Sequence, residues 1–277
     1  MSGRLSGTVP VDGGQLAYEI AGGGPNIVLL HGFSFDMRCW EPQFTALSDE
    51  YRVVRYDLRG FGRSSLPEGQ YDHCADLSAL LAHLDIERPM LLGLSLGSNV
   101  ALRYATLHPD HVAVLALASP GLPGHVWREE RPPDAARERA RTHGVEVARD
   151  FWLNHPFLSS LNDYPAARTA VREMVEDYSG FHWRQADPQA PAAPFHDKLD
   201  TVGMPALVLS GARDVNGYRE IADVLADRLP AARLVRFENS GHVLNLEEPD
   251  RFNAVVRDFA AQMGSPEGRA AGTSGVT

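Results

Sequence analysis

The chain has 277 residues, 44% of them hydrophobic and 22% charged, with a formal net charge of −10. That length suits one α/β core with an inserted subdomain, and the apolar content is too high for wholesale disorder. The negative balance, with Lys198 the single lysine among many arginines, opposes binding to phosphate backbones, so no nucleic-acid partner is expected.

Cys39 and Cys74 are too few for a disulfide framework or a structural zinc site and are expected to be reduced and buried. The stretch MSGRLSGTVPV lacks an apolar h-region, and no run of about 18 apolar residues occurs, so a cytoplasmic protein with no membrane partner is expected.

In chain order, residues 5 to 20 read as two short strands joined at Asp12-Gly13-Gly14, a turn that tolerates positive φ. Beyond Gly22-Gly23-Gly24-Pro25 come NIVLLH (26–31), RVVRYD (52–57), PMLLGL (89–94), VAVLALAS (112–119), PALVLSG (205–211) and ARLVRFE (232–238). Most of these runs are continuously apolar, as a parallel sheet covered on both faces requires. Between them lie stripes at helical spacing: Cys74, Leu77, Leu80, Leu81 and Leu84; Ile221, Val224, Leu225 and Leu229; Phe252, Val255, Val256 and Phe259. The alternation predicts an α/β class with mostly parallel strands.

The alternation fails from about Leu122 to Asp200, where proline clusters, the salt-laced WREERPPDAARERARTHG and helix-like pieces at 145–153 and 165–178 predict a mostly helical insertion. The core is therefore expected at 1–121 and 201–263, with a helical cap at 122–200. The small, polar GSPEGRAAGTSGVT from 264 is expected to be a disordered tail over 264–277.

The chemistry gathers at LLGLSLGSNVAL (91–102), where an apolar strand meets Gly-x-Ser-x-Gly and then a helical pattern. That context suits a strained turn presenting Ser95 as a nucleophile, with Gly93, Gly97 and the small Ser98 making room. A serine hydroxyl needs a base and a carboxylate to orient that base. Asp214 follows the strand in VLSGARD, and His242 follows the next in RFENSGH. In a parallel sheet these carboxyl ends share one edge, so Ser95, Asp214 and His242 can converge. Backbone amides of Leu96, next to the nucleophile, and of Phe33, after the first long strand, are the expected oxyanion donors.

His31-Gly32-Phe33, DLRGFGRS (57–64), GLSLGS (93–98), GARD (211–214) and SGHVLNLEEP (240–249) match, in order and spacing, the α/β-hydrolase superfamily in its form with a helical cap. The chain resembles that family over roughly residues 5–262, the cap region least. The resemblance implies an eight-stranded sheet flanked by helices, the triad Ser95, Asp214 and His242, and oxyanion amides at Phe33 and Leu96. Ser98 stands where relatives often have a second glycine, and its hydroxyl is a candidate for the site. A serine at 95 excludes, by analogy, the haloalkane dehalogenase and epoxide hydrolase branches, whose nucleophile is an aspartate.

Four residues are candidates for the substrate pocket: His31, Ser98, His182 and Trp183, the last two in FHWRQ (181–185) of the cap. His31 has a second reading as a brace of its loop, and Asp57 and Arg59 are expected to order loops through ion pairs. The aromatic residues of the cap suit a small apolar or aromatic acyl substrate, although packing of the cap itself accounts for most of them.

The expected activity is hydrolysis of an ester, lactone or related acyl bond, with no metal or cofactor and a monomer or homodimer as the working form. Two other readings stand beside it. One is a cofactor-free perhydrolase, C–C bond hydrolase, lyase or secondary-metabolite tailoring enzyme on the same scaffold. The other is a non-catalytic, receptor-like ligand-binding protein.

Overall fold

The computed structural model describes residues 3–190 and 195–261, so the tail expected at 264–277 lies outside the described residues. The chain opens with β1 (Leu5–Val11) and β2 (Gly14–Ala21), an antiparallel hairpin that pairs Val11 with Gly14 and turns through Gly13 at φ 69°. Then follow β3 (Asn26–Leu30), α1 (Glu41–Leu47), β4 (Arg52–Tyr56), α2 (His73–His83), β5 (Met90–Leu94), α3 (Leu96–Leu107) and β6 (Val114–Ala118). Between β6 and the next strand the elements are α4 (Pro132–His143), α5 (Val145–Leu153), α6 (Pro165–Asp177), α7 (Phe181–Arg184) and two short 3-10 turns. The last part is β7 (Ala206–Gly211), α8 (Asn216–Arg228), β8 (Ala232–Phe237), α9 (Leu244–Glu247) and α10 (Pro249–Ala260).

One eight-stranded sheet results, in the order β1-β2-β4-β3-β5-β6-β7-β8. β2 pairs with β4 antiparallel, and every pairing from β4 to β8 is parallel. β5, β6 and β7 are buried at every residue, which explains their unbroken apolar runs: a central parallel strand is covered on both faces. The edge strand β1 is mostly exposed and the edge strand β8 mostly half-buried. α1 packs with α10, and α2 with α3, as two helical groups flanking the sheet.

The order places β4 on one side of β3 and β5 on the other, so the winding reverses at β3. Ligand crevices in open parallel sheets form outside the carboxyl ends of strands at such a reversal. Phe33 follows β3 and Ser95 follows β5, which brings both to that crevice.

The helix-like pieces expected at 145–153 and 165–178 are α5 and α6. The run containing Pro132-Pro133 differs from a simple break. Both prolines sit in the first turn of α4, where a missing N–H leaves no hydrogen bond unmade and the fixed φ favours the helix. Cys39 and Cys74 are free and buried. Among the described residues no helix is long and apolar enough to cross a membrane.

Candidate active site

Ser95 joins β5 to α3 with φ 52° and ψ −105°, a backbone conformation that a residue with a β-carbon adopts only when its surroundings impose it. The surroundings here are backbone. The Ser95 amide donates to the Ala118 carbonyl at the end of β6 (2.9 Å), and Asn99 donates back to the Ser95 carbonyl (3.1 Å). A Cβ on Gly93 would lie 2.4 Å from backbone atoms of Gly97 and Ser98, and one on Gly97 would lie 2.1 Å from the Leu30 carbonyl oxygen. Both glycines are therefore required by close approach of main chains.

Ser98 is fully buried and donates its hydroxyl to the Gly93 carbonyl at 2.7 Å, with the Ala118 carbonyl 3.0 Å away. It ties the elbow to β6. The expectation that it faces the pocket is corrected, because that hydroxyl is spent on two main-chain carbonyls.

His242 lies on the loop after β8, and its Nδ1 is 2.7 Å from Asp214 Oδ2. The other carboxylate oxygen of Asp214 accepts from the Val215 amide (2.8 Å), which fixes the carboxylate plane. The imidazole packs between Tyr218, with ring centroids 4.2 Å apart, and Phe157, 5.1 Å away. Ser95 and His242 line one tight recess of about 10 Å³, together with Gly32, Phe33, Phe35, Trp152, Phe157 and Tyr218.

Glu247, which sequence reasoning passed over, holds this loop. Its carboxylate accepts from the Gly241 amide (2.6 Å), the Val243 amide (3.2 Å) and the Ser160 hydroxyl (3.0 Å), so the residues on both sides of His242 hang from one buried acid. Burial raises its pKa, while these hydrogen bonds oppose the rise.

Neither the Phe33 nor the Leu96 amide donates to another group among the described residues. Leu96 opens α3, where first-turn amides have no partner within the helix. His31 braces the loop that carries Phe33. The Leu58 amide donates to its Nε2 (2.9 Å), which leaves Nδ1 as the donor to the Gly32 carbonyl (2.8 Å). Burial lowers the pKa of this ring and keeps that neutral tautomer. His31 is fully buried, and with both nitrogens engaged it is no pocket residue, contrary to the first of its two expected readings.

Asp57 and Arg59 order loops, but not through each other. Asp57 accepts from the Met37 and Arg63 amides (2.7 and 2.8 Å), and Arg59 pairs with Asp76 (2.6 Å).

His182 and Trp183 also depart from expectation. Both are buried, and neither borders the recess or the cavity beside Ser95. His182 receives the Tyr178 hydroxyl at Nδ1 (2.8 Å) and stacks on Phe61 at 4.5 Å, while Trp183 packs on Trp152, Tyr178 and Phe33. These aromatics join the helices between β6 and β7 to Phe33 and Phe61 of the core.

The cavity opening on Ser95 measures about 320 Å³ and is lined by Phe33, Leu96, Asn99, Leu122, Trp127, Arg131, Pro133, Tyr218 and the 121–125 turn. Its walls thus come from the start of the inserted segment, not from FHWRQ. Tyr218 borders both cavity and recess. Burial pushes its phenol up to about 12, against the opposing pull of Arg131 and of a hydrogen bond with Ser95, so it is a protonated neighbour of Ser95 at neutral pH.

A larger cavity of 520 Å³ lies around Arg38, Arg55 and Arg63, but no serine, threonine or cysteine lines it. Its arginines, Arg4 included, are paired with Glu41, Asp36 and Glu19. Among the described residues no cluster of His, Cys, Asp and Glu could hold a metal ion.

The chain is also similar to known proteins. The chain is 28% identical over 251 residues to the pimeloyl-[acyl-carrier protein] methyl ester esterase of Nitrosomonas europaea, covering 84% of this chain and 95% of that one. In three dimensions it resembles the enol-lactonase from Burkholderia xenovorans LB400 (TM-score 0.80, 29% identity, 92% of this chain and 100% of that one). It also resembles a thermophilic esterase from Thermogutta terrifontis (TM-score 0.81, 26% identity, 95% of this chain and 100% of that one). Residues 27–255 match the family model described as "Alpha/beta hydrolase family", and the chain belongs to that family.

Proposed function

We propose that this protein is a serine hydrolase that cleaves an ester, lactone or related acyl bond of a small substrate through an acyl-enzyme on Ser95. The observation that carries the reading is the 2.7 Å contact between His242 Nδ1 and Asp214, with His242 and the strained Ser95 in one recess. The carboxylate holds the proton on Nδ1, which leaves Nε2 as the base for the serine hydroxyl. Ser95 attacks the carbonyl, and the developing oxyanion takes the uncommitted amides of Phe33 and Leu96. The imidazolium then protonates the leaving group, and water, activated by the same imidazole, releases the acid. No metal or organic cofactor enters these steps.

In this reading the helices between β6 and β7 form a cap over the crevice, at 122–200 in the expected division of the chain. Trp127, Arg131 and Pro133, which border the cavity, support it. The esterase and lactonase named above act on acyl bonds, which favours acyl transfer among the chemistries this scaffold supports.

The test is Ser95→Ala. Turnover of a panel of aryl esters and lactones is expected to fall to background, and covalent labelling by a fluorophosphonate to disappear, with an unchanged circular dichroism spectrum. Retention of most turnover by a folded Ser95→Ala protein refutes the mechanism.

A further inference from the structure

The cavity beside Ser95 is apolar over much of its wall, from Phe33, Leu96, Leu122 and Trp127. Among the described residues Arg131 is its only lining arginine, lysine or carboxylate, and His125, 3.7 Å from Glu220, is the other titratable side chain on its wall besides Tyr218. The arginine sits just before α4, with its Nη1 3.3 Å from both carboxylate oxygens of Asp134. Asp134 is shared with Arg137, at 3.6 Å, so one carboxylate faces two guanidinium groups. Nε and Nη2 of Arg131 have no partner among the described residues. The cavity thus has one fork of N–H donors, with Nε and Nη2 uncommitted.

Asn99 lies one helical turn beyond the nucleophile and borders the same cavity. Its carboxamide oxygen is buried without a hydrogen-bond partner, an unusual state for a polar atom in a folded chain. Gly121 leaves the space the amide fills: a Cβ there would stand 2.9 Å from both the oxygen and the nitrogen of the carboxamide. The oxygen of a carboxamide only accepts and its NH₂ only donates, so it is the NH₂ end of Asn99 that can serve a carboxylate.

The charge of Arg131 is felt at the Tyr218 hydroxyl, so the guanidinium lies within electrostatic reach of the Ser95 end of the cavity that both residues line. At about 320 Å³ the cavity lies near the small end of ligand pockets, which suits a short acyl chain of about four to six carbons.

We infer that the acyl group delivered to Ser95 carries a free carboxylate at its far end, held by the guanidinium of Arg131 with Asn99 beside it. This rests on the acyl-transfer reading above and names its substrate class: half-esters or lactones of short dicarboxylic acids. The guanidinium supplies paired donors for the planar carboxylate, and the apolar wall takes the methylenes between the two carbonyl groups. A cationic end group meets the same charge and is disfavoured.

The experiment compares p-nitrophenol release from the mono-p-nitrophenyl ester of adipic acid with release from its methyl-capped neutral counterpart, which has the same acyl chain. For the wild-type protein kcat/KM is expected to favour the carboxylate-bearing ester by about 10- to 100-fold, the range of a hydrogen-bonded charge contact. In Arg131→Gln that ratio is expected to fall at least about tenfold. If Arg131→Gln does not fold, inhibition of the wild-type protein decides, with adipate expected to bind more tightly than hexanoate and to lose that advantage in high salt.

A wild-type ratio at or below one overturns the inference, as does a ratio that a folded Arg131→Gln protein leaves unchanged. Hexanoate binding as tightly as adipate overturns it as well. If neither ester turns over, the inference also falls, and fluorophosphonate labelling then separates the two readings. A labelled Ser95 removes only the substrate class, whereas an unlabelled one removes the acyl-transfer reading with it.

Discussion

Gly97→Ala sets two physical effects against each other with opposite signs. Gly97 lies inside α3, where replacing glycine by alanine ordinarily favours the helix by about 1 kcal/mol. At this position the new Cβ would stand 2.1 Å from the Leu30 carbonyl oxygen, 2.5 Å from its carbon and 2.8 Å from the His31 carbonyl oxygen. All three are backbone atoms of the β3 end, so no flexible side chain can yield, and the elbow and β3 must separate by about 1 Å. Overpacking of this kind costs about 1–3 kcal/mol and outweighs the gain in helix propensity.

The shift falls between the Ser95 hydroxyl and the Phe33 amide, because Leu30 and His31 lead directly into the Phe33 loop. A displacement near 1 Å in an active constellation lowers turnover by about 100-fold. Urea denaturation is expected to show a lower midpoint, and the rate of fluorophosphonate labelling at Ser95 to fall by about two orders of magnitude. Gly69→Ala is the control, since a Cβ there meets nothing within 4 Å. A Gly97→Ala protein as stable as the wild type and labelled within twofold of its rate would falsify the argument that main-chain contact makes this glycine necessary.

Two further outcomes are expected. Tyr218→Phe removes the hydroxyl next to Ser95 but keeps the ring against His242, so kcat/KM for ester hydrolysis should fall by about tenfold, the worth of one hydrogen bond, with the melting temperature nearly unchanged. Steady-state kinetics of the folded variant check this, and unchanged kcat/KM refutes it. The second concerns His182, whose burial, opposed by Asp187 and reinforced by Arg137, holds its pKa at about 4 against an unfolded value of 6.5. The unfolded chain takes up this proton first as pH falls. The contribution of neutral His182 is therefore complete above pH 6.5 and is lost towards pH 4, by about 3 kcal/mol. Urea midpoints across that interval should fall less steeply for His182→Gln than for the wild type, and equal slopes would contradict the assignment.

The sheet was legible because its central strands are buried on both faces. Runs such as MLLGL and VLALA can hardly be anything but central strands when helical stripes separate them. Ser95, Asp214 and His242 were legible for a related reason: each follows its own strand, and parallel strands deliver their carboxyl ends to one edge. The cavity wall was not legible. The insertion holds aromatics throughout, and an aromatic that packs on Phe33 has the same composition as one that faces a ligand. Trp183 does the first, whereas Trp127 borders the cavity beside Ser95, a difference set by how α4 and α7 lie on the core.

By itself the sequence determined the α/β class, the order of strands and helices along the chain, and Ser95, Asp214 and His242 as candidates for nucleophile, acid and base, because periodicity and local turn chemistry act over a few residues. Tertiary structure alone decided that Ser98 and His31 brace main chain, that Glu247 carries the His242 loop, and that Asn99, Arg131 and Tyr218 share a cavity with Ser95. Each of those roles depends on which distant backbone carbonyl, amide or ring lies within about 3 to 5 Å, and contacts at that range are set by the packing of whole elements.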